Sequence, residues 1–264
     1  MRVTLNGIRI EYEVAGSKTG IPVVFVHGFP FGQEMWKPQV EALKRNYYVI
    51  TYDVRGHGKS DAGDGQYSVE YFVDDLIAVL DHLHVSKVVA VGLSMGGYIL
   101  LRAIERQPDR FRALVLCDTR SEADGNFGKI MRATQAKAVK VDGTRKFVET
   151  FLQGVFHEKT FQTNQDAIAL VRDAIKASPI AVAGTLLALA ARTDTTPSLY
   201  NIKVPTLILV GQHDTVTPPS ASHAMKEKIP NAELHVIARA AHMSNLENTE
   251  EFNSYLMKFL GNIK

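Results

Sequence analysis

Short runs of β-branched and aromatic residues recur along the chain: "VTL", "IRIEYEV", "PVVFVHG", "YYVITYD", "KVVAVG", "RALVLCD", "PTLILVG" and "AELHVIA". The first two alternate apolar and polar positions, as half-buried strands do. Most of the later ones have a largely apolar centre, the pattern of strands covered on both faces. Between them lie segments with apolar positions three and four apart. "VEYFVDDLIAVLDHL" and "MGGYILLRAIERQ" read as helices, the second stopped by Pro108. "NTEEFNSYLMKFLG" offers Asn248 as N-cap, Glu251 three residues on, and Gly261 as a stop. Buried strands alternating with helices predict a mostly parallel central sheet flanked by helices. The opening strands, joined at Asn6-Gly7, predict an antiparallel hairpin at its edge.

The alternation stops near Arg120 and resumes at "VPTLILVG". Residues 120–197 carry only helical pattern, in "KIMRATQAKAVK", "GTRKFVETFLQGVF" and "SPIAVAGTLLALAART", the last opening with Ser178 as N-cap and Pro179 at the first helical position. The expected organisation is a core of residues 1–119 and 198–264, with residues 120–197 a helical insertion after the sixth strand. "IAVAGTLLALAA" is apolar nearly all round and is expected to be buried.

Composition narrows this picture only a little. A chain of 264 residues, 45% hydrophobic and 22% charged, is long enough for one large α/β domain. The net charge of +2, with no dense basic run, gives no reason to invoke nucleic acid. The single cysteine, Cys117, sits in an apolar run and is expected to be buried and inert. The N-terminus lacks the apolar core of a signal peptide, and no apolar segment reaches the roughly 20 residues that span a bilayer. The expected setting is therefore cytoplasmic, without a membrane partner.

Chemistry enters at "VVAVGLSMGGYIL". Ser94 stands between Gly92 and Gly96 where a strand gives way to a helix. A sharp turn there would lift the hydroxyl above the sheet, and small residues two before and two after avoid collision. A serine nucleophile needs a base, itself oriented by an acid. Asp214 follows the strand "PTLILVG" and His242 follows "AELHVIA", and the order Ser94, Asp214, His242 is the one this arrangement takes. Asp118, after "RALVLC", is the rival acid, or else holds the start of the insertion. Asp53 is expected to bond within its own loop. His57 is read as bracing the mouth of the site, His213 as structural, and His82 and His84 as surface residues. The backbone N–H groups of Met95, at the helix start, and Phe29, after Gly28, are the candidate oxyanion donors. Neither a metal nor a cofactor is called for.

"HGFP", "DVRGHGKSD", "GLSMGG", "GQHD" and "AAHMSNLE", in this order, resemble the α/β-hydrolase superfamily over nearly the whole chain. "GLSMGGY" followed by "LCDTRSEAD" is similar to small bacterial carboxylesterases and their relatives, the 3-oxoadipate enol-lactonases and cofactor-free perhydrolases. The resemblance implies an α/β-hydrolase fold and a cap formed by residues 120–197 over the site. Gly28, Trp36 and Leu186, with Phe29 and Met95, are expected to line an apolar pocket. That pocket suits neutral carboxylic esters of short or medium chain, cleaved through an acyl-enzyme. An enol-lactonase or carbon–carbon hydrolase would need a cation for a substrate carboxylate, and Arg120 or Arg132 would supply it unless paired with Glu122 or Asp124. A non-catalytic receptor on the same scaffold is the remote alternative. The partner is thus a small ester, and the chain is expected to be a monomer or homodimer.

Overall fold

The computed structural model describes residues 1–263. Eight strands form one sheet in the order β1-β2-β4-β3-β5-β6-β7-β8. Strands β1 (Arg2–Leu5) and β2 (Ile8–Ala15) make the expected edge hairpin. Asn6 and Gly7 have φ of 47° and 78°, the two positive values that the tightest hairpin turn requires. Strand β2 then runs antiparallel to β4 (Tyr47–Tyr52), and every later pairing is parallel. The parallel strands β3 (Ile21–Val26), β5 (Val88–Leu93), β6 (Phe111–Cys117), β7 (Thr206–Gly211) and β8 (Ala232–Ile237) all end at one edge.

Every residue of β5 and β7 is buried. Side chains alternate across the sheet: Val24 and Val26 enter one apolar cluster, Val23 and Phe25 the other. Helices α1 (Lys37–Leu43), α2 (Val69–His82), α3 (Met95–Arg106), α9 (Pro219–Lys228), α10 (Ser244–Glu247) and α11 (Thr249–Gly261) accompany the strands. α2 buries Phe72, Val73, Leu76 and Leu80 on one face, and truncating one such residue to Ala costs about 2–5 kcal/mol. Its N-cap Ser68 accepts from Tyr71 N at 3.2 Å. The cap at Asn248 closes as a reciprocal pair, with Glu251 N donating to Oδ1 at 3.4 Å and Asn248 Nδ2 donating to Glu251 Oε2 at 2.7 Å.

Five helices separate β6 from β7: α4 (Asn126–Asp142), α5 (Arg145–Val155), α6 (Thr160–Thr163), α7 (Gln165–Ala174) and α8 (Pro179–Ala190). Ser178 caps α8 through Ala181 N at 3.2 Å, with Pro179 in its first turn. α8 is less enclosed than its composition suggests. It buries Ala181 to Leu186, but Ile180 and Leu187 remain exposed.

Candidate active site

The turn after β5 is strained. Ser94 has φ 54° and ψ −113°, a region that costs a non-glycine residue about 1–3 kcal/mol. Its backbone is held on both sides. Ser94 N donates to Cys117 O at 2.9 Å, and its carbonyl accepts from Thr119 Oγ1 at 2.8 Å and Tyr98 N at 3.1 Å. The flanking glycines are required by contact. A Cβ on Gly92 would stand 2.6 Å from the Gly96 carbonyl, and one on Gly96 would stand 2.1 Å from Val26 O.

Ser94, Asp118, Asp214 and His242 follow the adjacent strands β5, β6, β7 and β8, so all four lie along the carboxyl edge, where sites form in such sheets. Of the two acids, Asp214 meets the histidine. His242 Nδ1 lies 2.8 Å from Asp214 Oδ2, and the pair is buried. Asp214 Oδ1 accepts from Val216 N at 2.8 Å and Thr217 N at 2.9 Å, and Oδ2 accepts from Thr217 Oγ1 at 2.7 Å. Burial pushes this carboxyl up, but the charge of His242 and the donors from His242 and Thr217 outweigh it and hold the acid below its ordinary value. With the carboxylate on Nδ1, a neutral imidazole carries its proton there and leaves the Nε2 lone pair free. His242 N donates to Val155 O at 3.0 Å, so the end of α5 fixes the loop that carries His242.

Asp118 has another task. It is fully buried; Oδ1 accepts from Gly211 N at 2.8 Å and Oδ2 from Ser244 Oγ at 2.5 Å. It therefore ties the end of β7, three residues before Asp214, to the start of α10, two residues after His242. Burial first, and then the charge of Asp214, push its carboxyl well above the ordinary range. It does not hold the start of the insertion through Arg120, whose guanidinium donates to Val216 O instead. Asp53 reaches beyond its own loop as well, accepting from Gln33 N at 2.7 Å and Lys59 N at 2.8 Å.

The loop after β3 passes close to Ser94: a Cβ on Gly28 would come within 3.5 Å of Ser94 Cβ. Among the described residues, neither Phe29 N–H nor Met95 N–H is given to a protein acceptor. Met95 opens the twelve-residue α3, whose dipole favours negative charge at that end. His27 braces the loop from below. Val54 N donates to its Nε2 at 2.9 Å, which leaves Nδ1–H to donate to Gly28 O at 2.9 Å. Burial lowers His27 to about 4 and His57 to about 3. His57 sits 5.9 Å from the Phe29 ring, edge to face.

Phe147 and Phe151 of α5 each lie 5.8 Å from the Phe29 ring, so the insertion covers the loop after β3 with aromatic carbon. Trp36 does not line this region. Its indole is fully buried against Phe25, at 4.9 Å, and Phe252, at 6.4 Å, in the cluster on the other face of the sheet from Phe29 and Met95. It entered the expected pocket because its position follows the loop in sequence, yet the turn before α1 points it inward. Leu186 is 1% exposed and shares the apolar cluster of Phe29 and Met95. Arg132 pairs with Asp124, which Arg192 also reaches at 2.8 Å. The His213 ring lies 4.6 Å from that of His157 at a tilt of 50°, and His82 bonds the Tyr12 hydroxyl at 3.1 Å. No group of three or more potential metal ligands occurs among the described residues.

Two contributors escaped the sequence reading. Thr217 carried a readable signal, since a carboxylate three residues before a threonine commonly accepts from the intervening turn. Ser244, which closes on Asp118 from 126 positions away, carried none.

The chain belongs to the α/β-hydrolase family: the family model described as alpha/beta hydrolase fold matches residues 21–249. It is similar to a thermophilic esterase from Thermogutta terrifontis, with 35% identity, 99% of this chain and 98% of that one covered, and a TM-score of 0.94. The enol-lactonase from Burkholderia xenovorans LB400 superposes with a TM-score of 0.92 at 27% identity, covering 99% of this chain and all of the other. The 3-oxoadipate enol-lactonase 1 of Acinetobacter baylyi is 28% identical over 259 residues, 98% of this chain and 96% of that protein.

Proposed function

We propose that the protein is a serine hydrolase that cleaves neutral carboxylic esters of short or medium chain. The observation that carries the reading is the buried Asp214–His242 bond on the edge where the strained Ser94 turn ends. Ser94 Oγ attacks the ester carbonyl while His242 Nε2 takes its proton. The oxyanion is stabilised by Phe29 N–H and Met95 N–H, two donors uncommitted within the described fold. His242 passes the proton to the leaving alkoxide, and the acyl-enzyme is cleared by water activated at the same nitrogen. The helices of residues 120–197 act as a cap, with Leu186, Phe147 and Phe151 contributing to the apolar surroundings of the acyl chain.

The second reading, an enol-lactonase, uses the same acyl chemistry and is favoured by the similarity to enol-lactonases. It needs a cation for the substrate carboxylate. Arg132 is engaged by Asp124, and Arg120 is turned to Val216 O, which supports a neutral ester instead. Purified protein assayed with p-nitrophenyl acetate, butyrate and octanoate beside a carboxylate-bearing enol-lactone separates the two. Ester turnover that far exceeds lactone turnover supports the first reading, and the reverse order supports the second.

A further inference from the structure

The loop that carries His242 is held from two sides. On the core side, His213 N donates to Ala240 O at 2.8 Å, and β7 comes so close that a Cβ on Gly211 would stand 1.9 Å from Ala241 O. Towards the insertion it is held through the carboxylate of Glu247, the last residue of α10. Oε1 accepts from Ala241 N at 2.8 Å, and Oε2 accepts from His157 N at 2.8 Å and Thr160 Oγ1 at 2.5 Å. One side chain thus joins the turn between α5 and α6 to the amide immediately before His242. The next amide, His242 N, is the one given to Val155 O. Asn164 of the insertion adds a bond from Nδ2 to Leu246 O at 3.2 Å.

The bond from Nδ1 to Asp214 fixes the distance of the His242 ring from the acid but not its tilt. The tilt follows from the backbone that carries the ring. A group that moves a proton must be held within about 0.5 Å of its productive position, and a displacement of about 1 Å costs about a hundred-fold in rate. A carboxylate suits this holding task, because it accepts hydrogen bonds about twice as strongly as a neutral acceptor does. Glu247 and Thr160 both line a polar cavity of about 530 Å³, shared with His157, His213 and Arg239, whose walls do not include Ser94. Their effect on chemistry at Ser94 therefore passes through the His242 loop.

We propose that Glu247 is a positioning residue for His242, clamping the loop to the insertion so that the turn at His157 and Thr160 sets the aim of the imidazole. This role rests on His242 being the base of the hydrolase described above. Weakening the clamp should lower kcat and leave KM almost unchanged, because neither Glu247 nor Thr160 reaches the substrate.

The test is steady-state kinetics of the full chain with p-nitrophenyl butyrate, beside amide hydrogen exchange and thermal melting. Thr160→Val keeps the shape of the side chain and removes its bond to Glu247. It should lower kcat about ten-fold, the worth of one hydrogen bond to a charged group. Thr160→Ser, which keeps the hydroxyl, should retain the wild-type kcat. Glu247→Gln cannot accept from Ala241 N and from the insertion at once, and it should lower kcat about a hundred-fold. In Thr160→Val and Glu247→Gln the amides of Ala241 and His242 should exchange faster, while those of β5 should not. Variants that melt lower yet keep the wild-type kcat overturn the proposal, since Glu247 would then only brace the fold. So does a loss that appears in KM instead, or a Thr160→Ser protein as slow as Thr160→Val. Wild type that neither turns over the ester nor takes a fluorophosphonate overturns the hydrolase reading and this role with it, whereas active wild type beside unaffected variants overturns this role alone.

Discussion

Replacing His57 by Phe should flatten the acid dependence of stability. His57 is fully buried and lowered to about 3, and His27, 5.3 Å away, is lowered to about 4. For His27 the bonds give the reason directly, since Nε2 accepts from Val54 N and has no place for a second proton. A histidine whose folded value is depressed contributes its full stability above the unfolded value, about 6.5. That contribution is lost as pH falls towards the folded value, because the unfolded chain takes up a proton the native chain refuses. At about pH 5, about 1.5 units below the unfolded value and still above both folded ones, this proton uptake costs about 2 kcal/mol per group. The two do not add in full, because the charge on one opposes the charge on the other. The assay is urea unfolding at about pH 7 and about pH 5, followed through Trp36, the single tryptophan, buried in the core. Phenylalanine keeps the ring beside Phe29 and cannot titrate, so the loss between the two pH values should shrink by about 2 kcal/mol. A variant whose stability falls with pH as steeply as wild type refutes the reasoning.

Asp214→Asn should lower kcat by about 10⁴ in ester assays, whereas Asp118→Asn, which keeps an acceptor for Gly211 N, should cost far less; the opposite ranking would move the acid to the earlier strand. Gly96→Ala forces a carbon to within 2.1 Å of Val26 O, and soluble expression with melting should show a protein that either fails to fold or loses the turn and its activity. Leu186→Ala should destabilise by about 2–5 kcal/mol, read by chemical unfolding, because its fully enclosed side chain leaves a cavity.

The strands were legible because parallel strands covered on both faces leave runs such as "TLILV" with no polar position to confuse them. The hairpin was legible in Asn6-Gly7, and the helix starts in Ser178 and Asn248, because each satisfies a specific backbone demand in local sequence. α9 was not, since "PSASHAMKEK" buries only Ser222 and Met225 and so carries almost no periodic signal. α6 and α7 were missed for a related reason: short helices in the insertion take their order from tertiary packing. At the candidate site, the gathering of Ser94, Asp214 and His242 along one edge of the sheet was legible because each follows a strand in a fixed order. The partners that tune them come from elsewhere in the chain. Nothing near Asp118 announces Ser244, and nothing near Trp36 shows that Phe25 and Phe252 would enclose it.

The central claim, that Ser94 is the nucleophile, is tested most directly by covalent labelling. A fluorophosphonate incubated with wild type should add a single adduct that maps by mass spectrometry to Ser94. Ser94→Ala should take up none, and its ester turnover should fall by several orders of magnitude. Labelling of any other residue, or a Ser94→Ala protein that still hydrolyses esters near the wild-type rate, would contradict the account.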